Sequence, residues 1–238
     1  MGDQLTGNPM RFWHCIFVLV CSVLLQSYPN LYAQMSTGPS LQRAALEFEG
    51  VGTLANGSWT GQTFDRHLFL LGISYRRLLT QRRGFALKLS ARAIPLGILR
   101  EPFINGCGFD PVSGRCVALQ ASRSFPPFTY TGTSYGIGAS PLGLQISFLP
   151  SHRIQPYFGI QGGFLYFNRN VLNVSGARFN FTIDGRTGVS LSLDKGKAIS
   201  FGYLFHHMSN HDIAASNPGM DSHMVNVAYS FPFHWLKR

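Results

Sequence analysis

Apolar and polar residues alternate with a period of two in short stretches between residues 44 and 233, and Gly, Pro, Asn and Asp cluster between these stretches. Successive side chains of a β-strand point to opposite faces, so this alternation predicts strands and not helices. The penultimate stretch shows the pattern well, with one apolar side formed by Ile199, Phe201, Tyr203 and Phe205. The chain is therefore expected to be built from half-buried strands.

Eight segments fit this pattern, at about 44–54, 68–77, 84–95, 133–149, 154–167, 179–193, 197–208 and 222–233. The connections between them alternate in length: the second, fourth and sixth are short, and the others are longer. Short turns at one end and long loops at the other are typical of outer-membrane barrels. The sequence thus predicts an all-β fold, an eight-stranded antiparallel transmembrane β-barrel.

The two faces of the predicted strands indicate what lies inside the barrel. The larger apolar side is expected to face lipid, because a membrane barrel is apolar outside and polar within. On this parity Glu47 and Glu49 point into the lumen from the first strand. Lys88 and Arg92 do so from the third, where buried charges need partners. Pro141 interrupts the alternation of the fourth strand, which indicates a β-bulge.

The N-terminal region has the character of an export signal. Arg11 precedes an apolar run from Phe12 to Leu25, and Leu31-Tyr32-Ala33 provides a candidate cleavage site. The run has 14 residues, fewer than the roughly 20 that a membrane-spanning helix needs, so cleavage is favoured over anchoring. We therefore expect residues 1–33 to be a signal peptide and residues 34–238 to be the barrel.

Composition and charge narrow the class of protein further. Charged residues make up 13% of the chain, aromatic residues 13%, and the mean hydropathy is +0.06, which argues against disorder and against a helical membrane protein. The formal net charge is +10, which favours an anionic partner such as a phosphorylated lipid. The sequence has no basic helix or Cys/His finger, so nucleic acid is not expected as a partner.

Two cysteines remain after removal of the predicted signal peptide. Cys107 and Cys116 lie in a Gly/Pro-containing stretch of the long third connection. In an exported chain such a pair suggests a disulfide that closes the loop. Two cysteines are too few for a zinc site, and no His lies near them, so no metal is expected.

The candidate chemistry lies at the end of the seventh predicted strand. His207 and Ser209 are two residues apart, so they share a face, and parity makes it the apolar outer face. Asp221 has the parity of the outer face of the last strand, and the hairpin connection brings it near His207. A hydroxyl, an imidazole and a carboxylate are the parts of a Ser-His-acid hydrolase. Polar groups that face lipid are energetically unfavourable and tend to be functional.

Neighbouring polar residues leave several roles open. Asn210 and Asn217, or nearby backbone N–H groups, can hold an oxyanion. His211 and Asp212 lie in the following loop and are alternative partners for the imidazole. His206 is expected to face the lumen as a structural residue, so it cannot join the neighbouring histidine in a metal site.

The residues from 207 to 221 resemble a known family. They contain His-x-Ser-Asn at the end of the penultimate strand, then Asn-x-Gly and an acidic residue before the last strand. This pattern is similar to that of the outer-membrane lipid A 3-O-deacylases, the PagL-like or acyloxyacyl hydrolase-related family. The resemblance implies an eight-stranded barrel in the outer membrane of a Gram-negative bacterium. It also implies hydrolysis of the ester-linked acyl chain at the 3 position of lipid A in lipopolysaccharide, without a cofactor.

The resemblance also implies roles for individual residues. His207 would be the base, Ser209 the nucleophile and Asp221 the acid, and the oxyanion region would contain Asn210, Asn217 and Gly219. The chain departs from the family pattern at the acid, where Asp221 replaces Glu and is one methylene shorter. The long connection from 96 to 132 is not explained by the resemblance.

Two other functions stay open at the level of sequence. One is a non-enzymatic barrel for adhesion or membrane stabilisation, in which His207 and Ser209 are interfacial polar residues. The other is an esterase that acts on phospholipid. The sequence also leaves open which acyl position and chain length are cleaved, and whether the barrel forms a homodimer.

Overall fold

The computed structural model describes residues 43–57, 59–61, 65–104, 107–109, 116–118, 129–172 and 175–233. The predicted signal peptide, residues 1–33, lies outside these described residues. Within them, no helix has the length and apolar character needed to cross a membrane.

Strands dominate the described residues. They are β1 (Ala44–Gly57), β2 (His67–Gln81), β3 (Phe85–Ile104), β4 (Cys107–Phe109), β5 (Cys116–Ala118), β6 (Thr129–Phe148), β7 (Ile154–Phe167), β8 (Phe179–Ser192), β9 (Ala198–Ser209) and β10 (Met220–Pro232). Eight of these strands close an antiparallel barrel in the order β1-β10-β9-β8-β7-β6-β3-β2. The predicted fold class, an eight-stranded outer-membrane type barrel, is confirmed.

Several strands of the barrel are longer than the sequence pattern predicted, and β3 and β6 are the pair that extends into the third connection. β3 and β6 pair as far as Ile104 and Thr129, so part of the connection predicted from 96 to 132 is sheet. The prediction ended the third strand at Pro95, a residue that cannot donate a ladder hydrogen bond. The register of β3 against β6 shifts between Ile94 and Gly97, and this irregularity accommodates the proline. The same connection contains the small hairpin formed by β4 and β5, which was not predicted.

The connections sort by length between the two ends of the barrel. Residues 82–84, 149–153 and 193–197 form short turns at one end, and the last of these includes a 3-10 turn at Asp194–Gly196. The longer connections leave and re-enter the barrel at the other end, between Gly57 and His67, Ile104 and Thr129, Phe167 and Phe179, and Ser209 and Met220. The candidate chemistry at the end of β9 therefore lies at the long-loop end.

The outer and inner faces follow the predicted parity. On β10, Val225 and Val227 are 42% and 50% exposed, whereas Met224 and Asn226 on the other face are buried. The predicted bulge beside Pro141 is also present, because the register of β6 against β7 shifts between Ala139 and Leu142.

A buried charge network crosses the middle of the lumen. Arg92 pairs with Glu49 at 2.7 Å and also with Asp184 from the opposite wall. Arg186 pairs with Glu49 at 3.2 Å, and His206 Nδ1 lies 2.6 Å from Asp184 Oδ1. Each buried charge of this network thus has a partner of opposite sign or a hydrogen bond, as burial requires. Glu47, on the same face of β1, pairs with Arg76 at 2.5 Å.

The lumen is not polar throughout, contrary to expectation. Toward the long-loop end its interior is an apolar cluster: Val51, Leu68, Leu70, Ile94, Leu99, Leu165, Phe167, Val171, Leu172, Leu204, Met208, Met220 and Met224. The expectation was wrong for this half because an eight-stranded barrel is narrow enough for side chains to fill it, and they can then pack as a core. Met208 and Met220 face each other across β9 and β10, directly behind the outer-face residues of the candidate site.

Candidate active site

His207 and Asp221 form the centre of the site. They are directly opposite each other on β9 and β10, and His207 Nδ1 lies 2.7 Å from Asp221 Oδ1. An ionised carboxylate only accepts hydrogen bonds, so His207 Nδ1–H is the donor, and Nε2 is the ring nitrogen that does not face the acid. The side chain of His207 is 22% exposed while that of Asp221 is 0% exposed. His207 therefore lies on the outer wall with the acid behind it, so that Nε2 is the ring nitrogen left for other contacts.

The carboxylate of Asp221 is held by a second segment of the chain. Thr60 N and Gly61 N donate to Asp221 Oδ2 at 2.7 and 2.9 Å. Thr60 Oγ1 donates to Asp221 Oδ1 at 2.9 Å and also lies 2.8 Å from His207 Nδ1. Hydrogen bonds from several donors stabilise the ionised form of a carboxylate. Asp221 is thus prepared to remain charged although it is fully buried.

Two glycines allow the chain to approach so closely. A Cβ atom on Gly61 would lie 2.5 Å from the backbone nitrogen of Asp221, which leaves no room for a side chain there. Gly219 has φ +63°, and a Cβ on it would lie 3.5 Å from His207 Cε1. Glycine adopts positive φ without steric cost. Together these residues pack the 59–61 segment and the 210–219 loop around the imidazole.

Ser209 shares the outer face of β9 with His207, as predicted. Same-face neighbours on one strand are roughly 6.6–6.8 Å apart along it, which a histidine ring and a hydroxyl can span. In the described part of the chain no hydrogen bond joins them, and Ser209 Oγ instead accepts the backbone N–H of His211 at 3.4 Å. A serine hydroxyl reorients by rotation about χ1, so Ser209 Oγ can turn toward His207.

The predicted oxyanion residues lie next to Ser209, with distinct partners. Asn210 is buried, donates its backbone N–H to Asn217 Oδ1 at 2.9 Å and donates its side-chain Nδ2 to the carbonyl of Ser216 at 2.7 Å. These bonds organise the 210–219 loop. Asn217 Nδ2 has no hydrogen-bond partner among the residues that the structure describes. The oxyanion roles of Asn210, Asn217 and Gly219 stay predictions.

The alternative partners of the imidazole lie elsewhere. Asp212 is exposed and, within the described ranges, does not bond to His207. His211 contacts the edge of Phe181 at 6.2 Å between ring centroids. His206 is 0% exposed and faces the lumen, on the opposite side of β9 from His207. The part of the chain that the structure describes contains no group of three His, Cys, Asp or Glu residues that could hold a metal ion.

Apolar side chains surround the polar trio on the outer wall. Phe181 and Ile183 of β8 are opposite Ser209 and His207 and are 45% and 58% exposed. On the other side, Trp59 is 80% exposed and packs on Phe205 with 5.6 Å between ring centroids. The site is therefore a polar spot in a wall that suits hydrocarbon chains.

Sequence reasoning missed Thr60 and Gly61. They follow β1, whose last residue, Gly57, is opposite Asp221 in the register of β1 against β10. Only closure of the barrel brings the first and last strands together, and no local motif marks this loop. The disulfide predicted between Cys107 and Cys116 stays a prediction, because the two side chains lie outside the described part. In the β4–β5 hairpin the backbone register places Cys107 opposite Ala118 and Cys116 opposite Phe109.

Residues 119–230 match the family model described as lipid A 3-O-deacylase (PagL). The chain resembles the PagL family. The matched part contains the whole stretch from His207 to Asp221, so the resemblance inferred from the sequence is confirmed there. Thr60 and Gly61 lie outside the PagL match.

Among solved structures, the crystal structure of the outer membrane enzyme PagL matches with 17% sequence identity and a TM-score of 0.49, over 79% of this chain and 99% of that chain. No curated protein sequence matches the chain significantly.

Proposed function

We propose that the chain is a carboxylic ester hydrolase of the outer membrane that removes an ester-linked acyl chain from lipid A. The observation that carries this proposal is the His207–Asp221 hydrogen bond on the lipid-facing wall, beside Ser209 and inside the region that matches PagL. Lipid A presents its acyl esters at the boundary between headgroup and hydrocarbon. A serine esterase at the long-loop end of the wall would meet them there.

The proposed mechanism follows from the positions of the three groups. Ser209 Oγ attacks the ester carbonyl carbon while His207 Nε2 takes the hydroxyl proton, and Asp221 stabilises the imidazolium that forms. The tetrahedral intermediate collapses, the bond to the sugar oxygen breaks, and His207 returns the proton to that oxygen. Water activated by His207 then hydrolyses the acyl-enzyme, which releases a fatty acid and restores Ser209. No cofactor takes part in these steps.

The oxyanion of the tetrahedral intermediate needs donors near Ser209. Asn217 Nδ2 is the side-chain donor we favour, because its own Oδ1 is fixed by the backbone N–H of Asn210. Asn210 orders the loop that presents it, and Gly219 lets the loop pass close to the imidazole. One preorganised donor of this kind is worth about 10²–10³ in kcat.

The setting of the enzyme follows from the same proposal. Residues 1–33 would be removed as a signal peptide, and residues 34–238 would insert in the outer membrane of a Gram-negative bacterium, with the long loops outside. Lipopolysaccharide is then the partner, through its lipid A. A disulfide between Cys107 and Cys116 would close the hairpin in the third connection.

The test is an assay of the purified full-length barrel on lipid A, with the lipid products measured by mass spectrometry. The parent should remove one acyl chain, and Ser209→Ala and His207→Ala should each lower the rate by about three orders of magnitude or more. Ser151→Ala, in an exposed short turn at the other end, is the matched control and should keep full activity.

Three outcomes decide between the candidate functions. Loss of one acyl chain from lipid A, dependent on Ser209 and His207, supports the proposal, and the product mass identifies the chain that is cleaved. Lysophospholipid formation without lipid A cleavage would make the protein a phospholipid esterase. Identical lipid spectra for the parent and both variants would leave a non-enzymatic barrel.

A further inference from the structure

We propose that Thr60 is a positioning residue that fixes His207 and Asp221 in the productive arrangement, so that the first connection completes the site. This inference rests on the proposed function. Thr60 lies outside the part of the chain that matches PagL, in the segment that covers Asp221 from the outer side. It touches both members of the His–acid pair through one hydroxyl.

The proton positions around Thr60 can be assigned from its distances. A threonine hydroxyl has one proton to donate and two lone pairs to accept with. Its proton goes to Asp221 Oδ1 at 2.9 Å, and its lone pair then faces the Nδ1–H of His207 at 2.8 Å. The opposite assignment, in which Thr60 donates to a bare Nδ1, would leave that nitrogen and Asp221 Oδ1 as two facing acceptors at 2.7 Å. Asp221 therefore requires Nδ1 to be protonated, and Thr60 adds a second acceptor to the same Nδ1–H while it donates to the carboxylate.

The loop that carries Thr60 is anchored at its base. Asn56 and Arg66 exchange two hydrogen bonds of 2.9 Å across the start and end of the loop. Arg66 also pairs with Glu101 at 3.3 Å and donates to the carbonyl of Leu172 at 2.8 Å. Positioning residues need such a second layer of contacts, because a loose support gives a loose site. The two described ends of this connection are therefore held to the barrel wall, which supports Thr60 at the site.

Two substitutions separate the hydroxyl from the rest of the segment. Thr60→Val has nearly the same shape and keeps the backbone N–H bonded to Asp221, but it removes the hydroxyl. Thr60→Ser keeps the hydroxyl. We expect Thr60→Val to lower kcat on lipid A roughly five- to tenfold, with KM within about twofold of the parent, and Thr60→Ser to recover most of the rate.

A spectroscopic measurement makes the inference independent of the substrate. With ¹⁵N-labelled histidine, the imidazole shifts of His207, assigned by comparison with His207→Gln, should show Nδ1 protonated in the parent and in Thr60→Ser. Thr60→Val should keep Nδ1 protonated, because Asp221 still accepts from it, but the Nδ1–H proton resonance should move from its parental position, because the second acceptor is lost. A parental Nδ1–H resonance and parental kcat in Thr60→Val would overturn the proposal. An inactive parent with the expected change in the Nδ1–H resonance would instead refute the proposed function and keep the role of Thr60.

A second and independent observation is the charge at the short-turn end. Its exposed cations, here called the basic rim, are Arg43, Arg77, Arg82, Arg83, Arg153, Lys195 and Lys197. Within the described ranges none of them forms an ion pair, and Asp194 is the exposed acid beside them. At the long-loop end, the described exposed charges are balanced between Arg100 and Arg178 and the acids Asp65 and Asp212.

The basic rim lies next to an aromatic belt. Phe85 and Phe148 are register partners and are 42% and 45% exposed, and Tyr75 packs edge-on against Phe233 at 5.9 Å. Aromatic side chains on a membrane protein concentrate at the level of lipid headgroups. We infer that the basic rim binds the headgroups of anionic phospholipids in the leaflet at the short-turn end, because each cation near an anionic surface gains attraction.

The test uses nanodiscs formed with equal amounts of phosphatidylglycerol and phosphatidylcholine, and measures the lipids that stay on the extracted barrel. The parent should retain phosphatidylglycerol preferentially, and Arg82→Gln/Lys195→Gln should lower this preference at least about fivefold. The charge-matched control Arg100→Gln/Arg178→Gln should leave it unchanged. An unchanged preference in the rim variant, or an equal loss in the control, would overturn the inference.

Discussion

Asp221 combines two properties that conflict unless its surroundings resolve them: it belongs to the outer face of β10, and it is fully buried and charged. A carboxylate in contact with lipid would be strongly unfavourable. The 59–61 segment removes it from lipid and supplies three of its donors, and His207 supplies the fourth. The buried charge of Asp221 thus orients the imidazole of His207 and is not part of the charge network inside the barrel.

The acid can be tested by a change of one atom. Asp221→Asn keeps the shape of the side chain, but its amide has an NH₂ group in place of one oxygen. This NH₂ group must face either the donors Thr60 N and Gly61 N or the Nδ1–H of His207. The second arrangement imposes the wrong imidazole tautomer, so we expect kcat on lipid A to fall about 10³- to 10⁴-fold. Asp212→Asn is the matched control and should keep parental kcat, because Asp212 is exposed. The reverse result would make Asp212 the acid.

The candidate residues differ in how far the sequence could predict them. Two-residue spacing places His207 and Ser209 on one face, and the hairpin between β9 and β10 brings Asp221 opposite, so local rules suffice to bring these three residues together. Thr60 is 161 positions from Asp221. Its position depends on the pairing of β1 with β10 and on the conformation of the loop after β1. No periodic pattern or motif in the sequence indicates either of them.

At the level of elements, the site depends on close packing of the 59–61 segment against the start of β10. Gly61 packs against the backbone of Met220 and Asp221, where a Cβ would approach to 2.8 and 2.5 Å. The contacting atoms are backbone and cannot move aside as a flexible side chain would. Any side chain at position 61 must therefore lift the 59–61 segment from Asp221.

Gly61→Ala is accordingly expected to lower kcat more than Thr60→Val does, because it loses both backbone donors and the hydroxyl together. We expect a loss of about 10²-fold or more, from two or three hydrogen bonds to a charged group. The barrel ladders do not involve this glycine, so the thermal unfolding temperature should change little. Gly84→Ala, where a Cβ would have open space, is the control for both measurements. Parental kcat in Gly61→Ala would show that the segment does not hold the acid.

The strand boundaries show where pattern reasoning stops. The alternation located all eight barrel strands, yet β3 continues through Pro95 and β6 begins at Thr129, four residues before its predicted start. A proline argues against a regular ladder of hydrogen bonds at its position. It does not argue against a β-bulge, where the missing N–H is not needed. Whether a strand ends or bulges at such a residue is decided by its partner strand, which a single stretch of sequence does not contain.

At the scale of the whole molecule, the barrel divides its interior between two kinds of packing. The apolar cluster lies behind the site and fixes β9 and β10 from inside. The charge network of Glu49, Arg92, Asp184, Arg186 and His206 joins distant strands across the middle. Side chains fill both layers, so the barrel is expected not to conduct ions.

The buried charge network predicts that the free energy of unfolding depends on the balance between its positive and negative charges. Its two arginines balance its two carboxylates, and Arg92 contacts both of them. Arg92→Met leaves one buried carboxylate uncompensated, which is expected to lower the free energy of unfolding by about 3–5 kcal/mol, measured by denaturant titration in lipid vesicles. Lys197→Met, at an exposed turn, should have a small effect.

Restoring neutrality distinguishes charge from lost packing. Arg92→Met/Asp184→Asn removes one charge of each sign, so it should recover a substantial part of the stability that Arg92→Met loses, even though it removes more native contacts. Such recovery is expected when the penalty comes from an unpaired buried charge, because a pair removed as a whole is often nearly neutral. Equal or greater loss in the double variant would mean that hydrogen bonding and packing around Asp184, including its bond to His206, dominate the network.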